Sequence, residues 1–160
     1  MSKIKSPESI QKFQVGVAKI LELDATQDFM SELLEELNEG VDKSARGDES
    51  YISFEGEIEK LEGKYEEFLH FVGTLKTTYY THDILTNEVM TDNLEVEVKS
   101  LVLTNDVVKK LEMEDEVDIE LNGEEYDLYS LDQNDYIDIK GILHEYIFLN
   151  KNNYPKRATD

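Results

Sequence analysis

The 160-residue chain contains no cysteine. That absence removes disulfides, cysteine zinc sites, C-x-x-C redox chemistry and thiol nucleophiles together, and it fits a reducing compartment. No apolar run approaches the roughly 20 residues of a membrane-spanning helix. The opening M-S-K-I-K-S-P-E-S has no apolar signal core behind it, so a cytoplasmic protein is expected. Positive charge is scarce: 16 Lys and Arg stand against 37 Asp and Glu, a formal net charge of −21. Direct binding of duplex nucleic acid needs clustered cations on the phosphates, and this balance argues against it. Phosphate cradles of the G-x-G-x-x-G and G-x-x-x-x-G-K types are missing, as are H-E-x-x-H and G-x-S-x-G. His70, His82 and His144 lie too far apart to form a local ligand motif, and ordinary hydrogen bonding is the expected role of each. Residues 132–143 are acidic enough for a calcium loop. They place Ile137 where the turn needs glycine and Leu143 where a bidentate Glu is needed. No catalytic, cofactor-binding or metal-binding residue is therefore assigned, and a non-enzymatic protein is expected.

What the chain does have is amphipathic periodicity. Tyr136 to Leu149, Y-I-D-I-K-G-I-L-H-E-Y-I-F-L, carries a helix start and a full apolar stripe. The Asp138 carboxylate can accept from the free N–H groups of a first turn, and Ile137 and Ile142 are placed as a hydrophobic staple. Ile139, Ile142, Leu143, Tyr146 and Ile147 recur at helical spacing, so one face must be covered. Near the start, Ser6-Pro7 reads as a cap and first helical residue. Ile10, Phe13, Val17, Ile20 and Leu21 read as a helical stripe to about Leu23, weakened by Gly16. Asp24 and Thr26 offer a break and a second cap. Phe29, Met30, Leu33, Leu34 and Leu37 form the next stripe, ended by Gly40. These two helices suit either cover for a sheet or a partner-binding hairpin.

Residues 41–50 read as a linker loop. Alternation then takes over. Ile52, Phe54 and Ile58 fall on one side of a strand, with Ser53, Glu55, Glu57 and Glu59 on the other. A second strand runs from Tyr65 to Tyr80, with Gly73 at its middle suggesting a bulge or a sharp bend that would curl the sheet. A third runs from Glu88 to Leu103, and Asn105 or Asp106 can cap a short helix beyond it. The short links argue antiparallel pairing. The expected fold is α+β: a curled antiparallel sheet with N-terminal helices and a C-terminal amphipathic helix packed on it. Its parts are helices in 1–40, the sheet domain in 51–149 and a tail in 150–160.

From Glu112 to Asp138 there is no Lys or Arg. Such a run usually stays solvated, with part of it open to disorder, although Tyr126, Leu128, Tyr129 and Leu131 can re-enter as a short strand. Glu114, Asp115, Glu116, Asp118, Glu120, Glu124, Glu125 and Asp127 are the candidate partner-binding residues, and carboxylates of this kind suit a basic protein partner. The same acids can bind divalent ions weakly, since carboxylates are hard oxygen donors. A second possibility is an acidic inhibitor that imitates nucleic acid in the groove of a DNA- or RNA-binding enzyme, as phage-encoded mimics do. Mimicry requires carboxylates laid out along one surface at phosphate-like intervals. A third is a plain adaptor whose acidity serves only solubility.

The order of features over about Tyr51 to Leu149 resembles the YceD-type family of bacterial large ribosomal RNA subunit accumulation proteins. A strand ends in Gly56-Glu57-Ile58. A strand with a central glycine follows, F-V-G-T-L-K-T-T-Y-Y, then T-H-D-I-L-T-N-E-V, a further strand, a long acidic stretch and the closing Y-I-D-I-K-G-I-L-H-E-Y-I-F-L. Gly73, Asp138, Ile139 and Glu145 are the matched positions. Thr81 and Ile84 stand where many members carry a C-x-x-C pair, so any metal or redox role of that pair is absent from this chain. The resemblance implies a non-enzymatic factor in ribosome biogenesis. It would support accumulation of large-subunit ribosomal RNA by binding basic ribosomal proteins or processing enzymes.

Overall fold

The alternation of Ile52, Phe54 and Ile58 with Ser53, Glu55, Glu57 and Glu59 sets the frame of the molecule. A computed structural model describes residues 4–115 and 119–156. The strand carrying this alternation, β3 (Tyr51–Gly63), is flanked by β2 (Ala18–Asp24) and β4 (Glu66–His82). The sheet continues through β5 (Val89–Leu103), β7 (Glu124–Ser130) and β6 (Ile119–Leu121), in the order β2-β3-β4-β5-β7-β6. Pairing is antiparallel from β2 to β5, with short connections joining β3 to β4 and β4 to β5, but β7 lies parallel to β5. The sheet is therefore mixed. The long second and third strands are present, and their pairing runs in unbroken register through Gly73 on both sides. The bulge expected at Gly73 is absent. Gly73 instead faces Gly56 across the β3–β4 pair, where a Cβ would sit 2.5 Å from both the Glu55 carbonyl oxygen and Phe54 Cζ. The two glycines leave room for the Phe54 ring.

One face of the sheet is sealed by α1 (Asp28–Asn38) and α3 (Ile139–Asn150). All five residues of the closing stripe, Ile139, Ile142, Leu143, Tyr146 and Ile147, are buried. Asp138 caps α3 by accepting from the Gly141 N–H at 2.9 Å. Phe29, Met30, Leu33 and Leu37 bury the matching side of α1. These side chains meet Phe54, Phe71, Leu75 and Val102 from the strands in one core. The fold is α+β, with the C-terminal helix packed on the sheet. On the opposite face, at one end only, α2 (Asn105–Met113) lays Val107, Val108 and Leu111 over Phe68, Leu101 and Leu103. Its cap is Thr104, whose hydroxyl accepts from the Val107 N–H, rather than Asn105 or Asp106.

The first expected helix does not form. Ser6-Pro7 is a cis peptide, followed by the two-residue β1 (Glu8–Ser9), a 3₁₀ turn over Ile10–Lys12 and then β2. Ile10, Phe13 and Leu21 do reach the core, but from a 3₁₀ turn, its C-cap and a strand rather than from one helix. Leu21 and Leu23 are 3% and 4% exposed whereas Ile20 is 69% exposed, which is the period of a strand and not of a helix. Seven residues that suit either period are decided by pairing with β3, and Gly16 turns the chain into that pairing with φ +78°. The Ser6 hydroxyl contributes to a different helix start: it accepts from the Lys140 N–H at 2.8 Å, beside Asp138. β1 pairs with β8 (Tyr136–Ile137), so the N-terminal segment fixes the approach to α3. The loop at 41–50 is anchored by Arg46, which donates to the carbonyls of Val41 and Asn38 and pairs with Glu35 at 3.0 Å.

Candidate functional site: an open acidic sheet face

Because successive side chains of a strand point to opposite faces, the register places the outward residues of β2 to β5 in rows. Glu22, Glu55, Thr74 and Glu97 form one row. Ile20, Glu57, Val72 and Lys99 form the next, and Ala18, Glu59 and His70 a third. On the other side of the first row, Ser53, Lys76 and Glu95 follow. Neither α1 nor α3 covers this face, and α2 covers only its far end. The Glu22–Glu55 pair sets like charges directly opposite each other, at about 4.5–5.5 Å between Cβ atoms, an arrangement that opposes pairing.

Two cations answer these acids. Lys76 pairs with Glu95 at 3.4 Å, and Lys99 lies 3.8 Å from Glu124 and over the Tyr126 ring at 4.9 Å. Among the described residues no ion pair reaches Glu22, Glu55, Glu57, Glu59 or Glu97. Glu97 accepts from the Thr74 hydroxyl at 2.8 Å. At the border of the patch, His70 Nε2 lies 3.1 Å from the Tyr126 hydroxyl. Burial pushes the His70 imidazole below its ordinary pKa; Glu57, Glu59 and Glu124 oppose that shift and Lys99 adds to it. His70 therefore supplies little positive charge to the face. At about 0.15 M salt the screening length is about 8 Å, longer than the separation of carboxylates on neighbouring strands, so their fields add.

The acidic run singled out in the sequence is distributed differently. Glu114 and Asp115 follow α2 and are exposed, while Glu116 and Asp118 lie outside the described residues. Glu120, Glu124 and Glu125 are exposed on the β6–β7 hairpin, whose turn is Asn122-Gly123 with φ +53° and +82°. Positive φ at both turn residues is what a two-residue hairpin needs. The described part of the run is thus largely strand and joins the sheet beside β5. The hairpin also divides its acids. Glu124 reaches Lys99 on the open face, whereas Asp127 points to the core side and accepts from the buried Tyr146 hydroxyl. Burial, and then this bond to Asp127, raises the pKa of Tyr146. With its proton donated to Asp127, the Tyr146 hydroxyl accepts from the Lys99 N–H at 3.2 Å and lies 3.2 Å from the Lys99 carbonyl oxygen, which locks α3 to β5. Of the four matched positions, Gly73, Asp138 and the fully buried Ile139 have the structural roles described, and Glu145 is exposed on α3.

The open face went unnoticed in the sequence because its rows join residues 22, 55 and 97, which only the register brings together. The alternating E-G-E-I-E of β3 and E-V-E of β5 were the available signal. Among the described residues no three His, Asp or Glu side chains converge as a metal site, and no helix is long and apolar enough to cross a membrane. No family model, curated protein or solved structure gives a significant match to this chain.

Proposed function

We propose that the chain is a non-enzymatic, cytoplasmic binding protein whose open sheet face holds the basic, nucleic-acid-contacting surface of another protein. The supporting observation is the set of carboxylates without ion pairs, Glu22, Glu55, Glu57, Glu59 and Glu97, held on one rigid face. Like charges placed side by side oppose folding, and a cationic surface laid over them relieves that repulsion and steers association. The YceD-type resemblance directs this reading to a ribosomal protein or an rRNA-processing enzyme, and so to accumulation of large-subunit ribosomal RNA. The regular layout of the carboxylates favours a second reading, an inhibitor that imitates the phosphates of DNA or RNA inside an enzyme's groove.

One experiment separates them. The chain, and a variant with Glu22, Glu55, Glu57 and Glu97 each changed to Gln, serve as baits at low salt, and the captured proteins are identified. Ribosomal proteins or rRNA-processing enzymes retained by the chain and lost by the variant support the first reading, and depletion of the chain then lowers large-subunit ribosomal RNA. A nuclease, polymerase or other DNA- or RNA-binding enzyme whose activity the chain inhibits supports the second. Equal capture by chain and variant removes both.

A further inference from the structure

β2 is an edge of the sheet: it pairs with β3 on one side and, among the described residues, has no strand on the other. An edge strand directs the N–H and C=O groups of alternate residues away from its partner. The bonds of the neighbouring turn reveal which residues these are. The Asp24 N–H donates to Gln27 Oε1 at 2.7 Å, and the Asp24 carbonyl accepts from the Gln27 N–H at 3.1 Å. Both groups of Asp24 therefore point away from β3. By alternation the outward pairs of groups along β2 belong to Ala18, Ile20 and Glu22. The fourth strand agrees. Lys99 on β5, three strands away, turns its N–H and C=O away from β4 and toward the Tyr146 hydroxyl, which fits the same alternation carried across the register. Among the described residues no hydrogen bond outside the β2–β3 ladder reaches the backbone of Ala18, Ile20 or Glu22.

The side chains of these same three residues begin the acidic rows. A strand added at β2 would extend the rows headed by Glu22, Ile20 and Ala18 by one position each. Opposite Glu22, and within reach of Glu55, the extended row calls for a cation. Opposite Ile20, 69% exposed and in the same row as Val72, it calls for an apolar residue. Opposite Ala18, whose small side chain leaves Glu59 accessible, it calls for a long cation. Two copies of this chain are poor occupants, because each carries a net charge of −21.

We propose that β2 receives an extended basic segment of the partner as a seventh, antiparallel strand, its cations aligned with the carboxylate rows of the open face. The inference rests on the acidic-face reading and adds a mode of recognition to it. Main-chain bonds at a sheet edge supply affinity, and alternate side chains supply selectivity. The segment reads lysine or arginine, apolar, apolar, polar, lysine or arginine, opposite Glu22, Leu21, Ile20, Lys19 and Ala18 in turn.

The test is backbone amide exchange in the intact chain with a synthetic nonapeptide. Its centre is lysine, valine, valine, threonine, lysine, and lysines fill both ends. A control peptide of the same sequence carries N-methyl groups on alternate backbone nitrogens, which keeps its charge but prevents strand pairing. The inference expects the first peptide to slow exchange at Ile20 and Glu22 at least tenfold and the methylated peptide to leave both unchanged. Equal binding of the two peptides with exchange at Ile20 and Glu22 unaltered would overturn strand addition and leave the acidic-face reading standing. Failure of both peptides to bind at low salt would remove both readings.

Discussion

The two faces of the sheet are made from the same strands by opposite rules. On the face under α1 and α3, Phe54, Phe71, Leu75 and Val102 are buried to the last few per cent, and polar groups there are paired: the Ser100 hydroxyl donates to the Phe71 carbonyl, and Tyr146 is bonded on both sides. On the open face, carboxylates stand beside carboxylates and most have no cation. The first face is what burial of apolar area requires for stability. The second opposes stability through like-charge pairs, so its arrangement is better explained by what it contacts than by what it contributes to folding.

Substitutions on the two faces should therefore separate stability from binding. The largest loss is expected for Phe71→Ala, which empties a fully buried ring site beside Phe54 and costs about 3–5 kcal/mol in urea unfolding. Gly73→Val comes next. Its side chain would collide with the Glu55 carbonyl and the Phe54 ring, and overpacking of this kind costs about 1–3 kcal/mol. Asp138→Ala removes the cap of α3 and the acceptor for Ser6, at about 1–2 kcal/mol, read as a lowered Tm. The smallest change, and the only one of opposite sign, belongs to the open face. Glu55→Gln relieves the repulsion with Glu22 and raises stability by a few tenths of a kcal/mol, while weakening capture of a basic partner.

The same comparison explains what could be read from the sequence. α3 was legible because its signals are local: a cap at Asp138, a staple at Ile137 and Ile142, and five apolar residues on one side. β3 was legible because its two-residue alternation holds whatever strand lies beside it. β2 was not. Ile20, Leu21 and Leu23 satisfy a helical period nearly as well as an extended one, and the choice is made by register with β3, some 35 residues on. The acids Glu114, Asp115, Glu120, Glu124 and Glu125 are exposed, and Tyr126, Leu128 and Tyr129 do lie on a short strand; its place in the sheet was not legible, for a related reason. Asn122-Gly123 is a hairpin turn that pairs β7 with β6, but the hairpin joins the sheet by laying β7 parallel to β5. The open face is the extreme case, since its rows are assembled from three or four separate strands.

The account turns on whether the paired carboxylates of the open face, and not acidity in general, hold the partner. The most direct measurement is the association constant of the captured basic partner against salt concentration. It should be compared between the chain, the variant with Glu22, Glu55, Glu57 and Glu97 changed to Gln, and a variant with Glu114, Asp115, Glu120 and Glu125 changed to their amides, which removes the same charge elsewhere. The account predicts at least tenfold weaker binding and a flatter salt dependence for the open-face variant only. Equal weakening in both variants would contradict it.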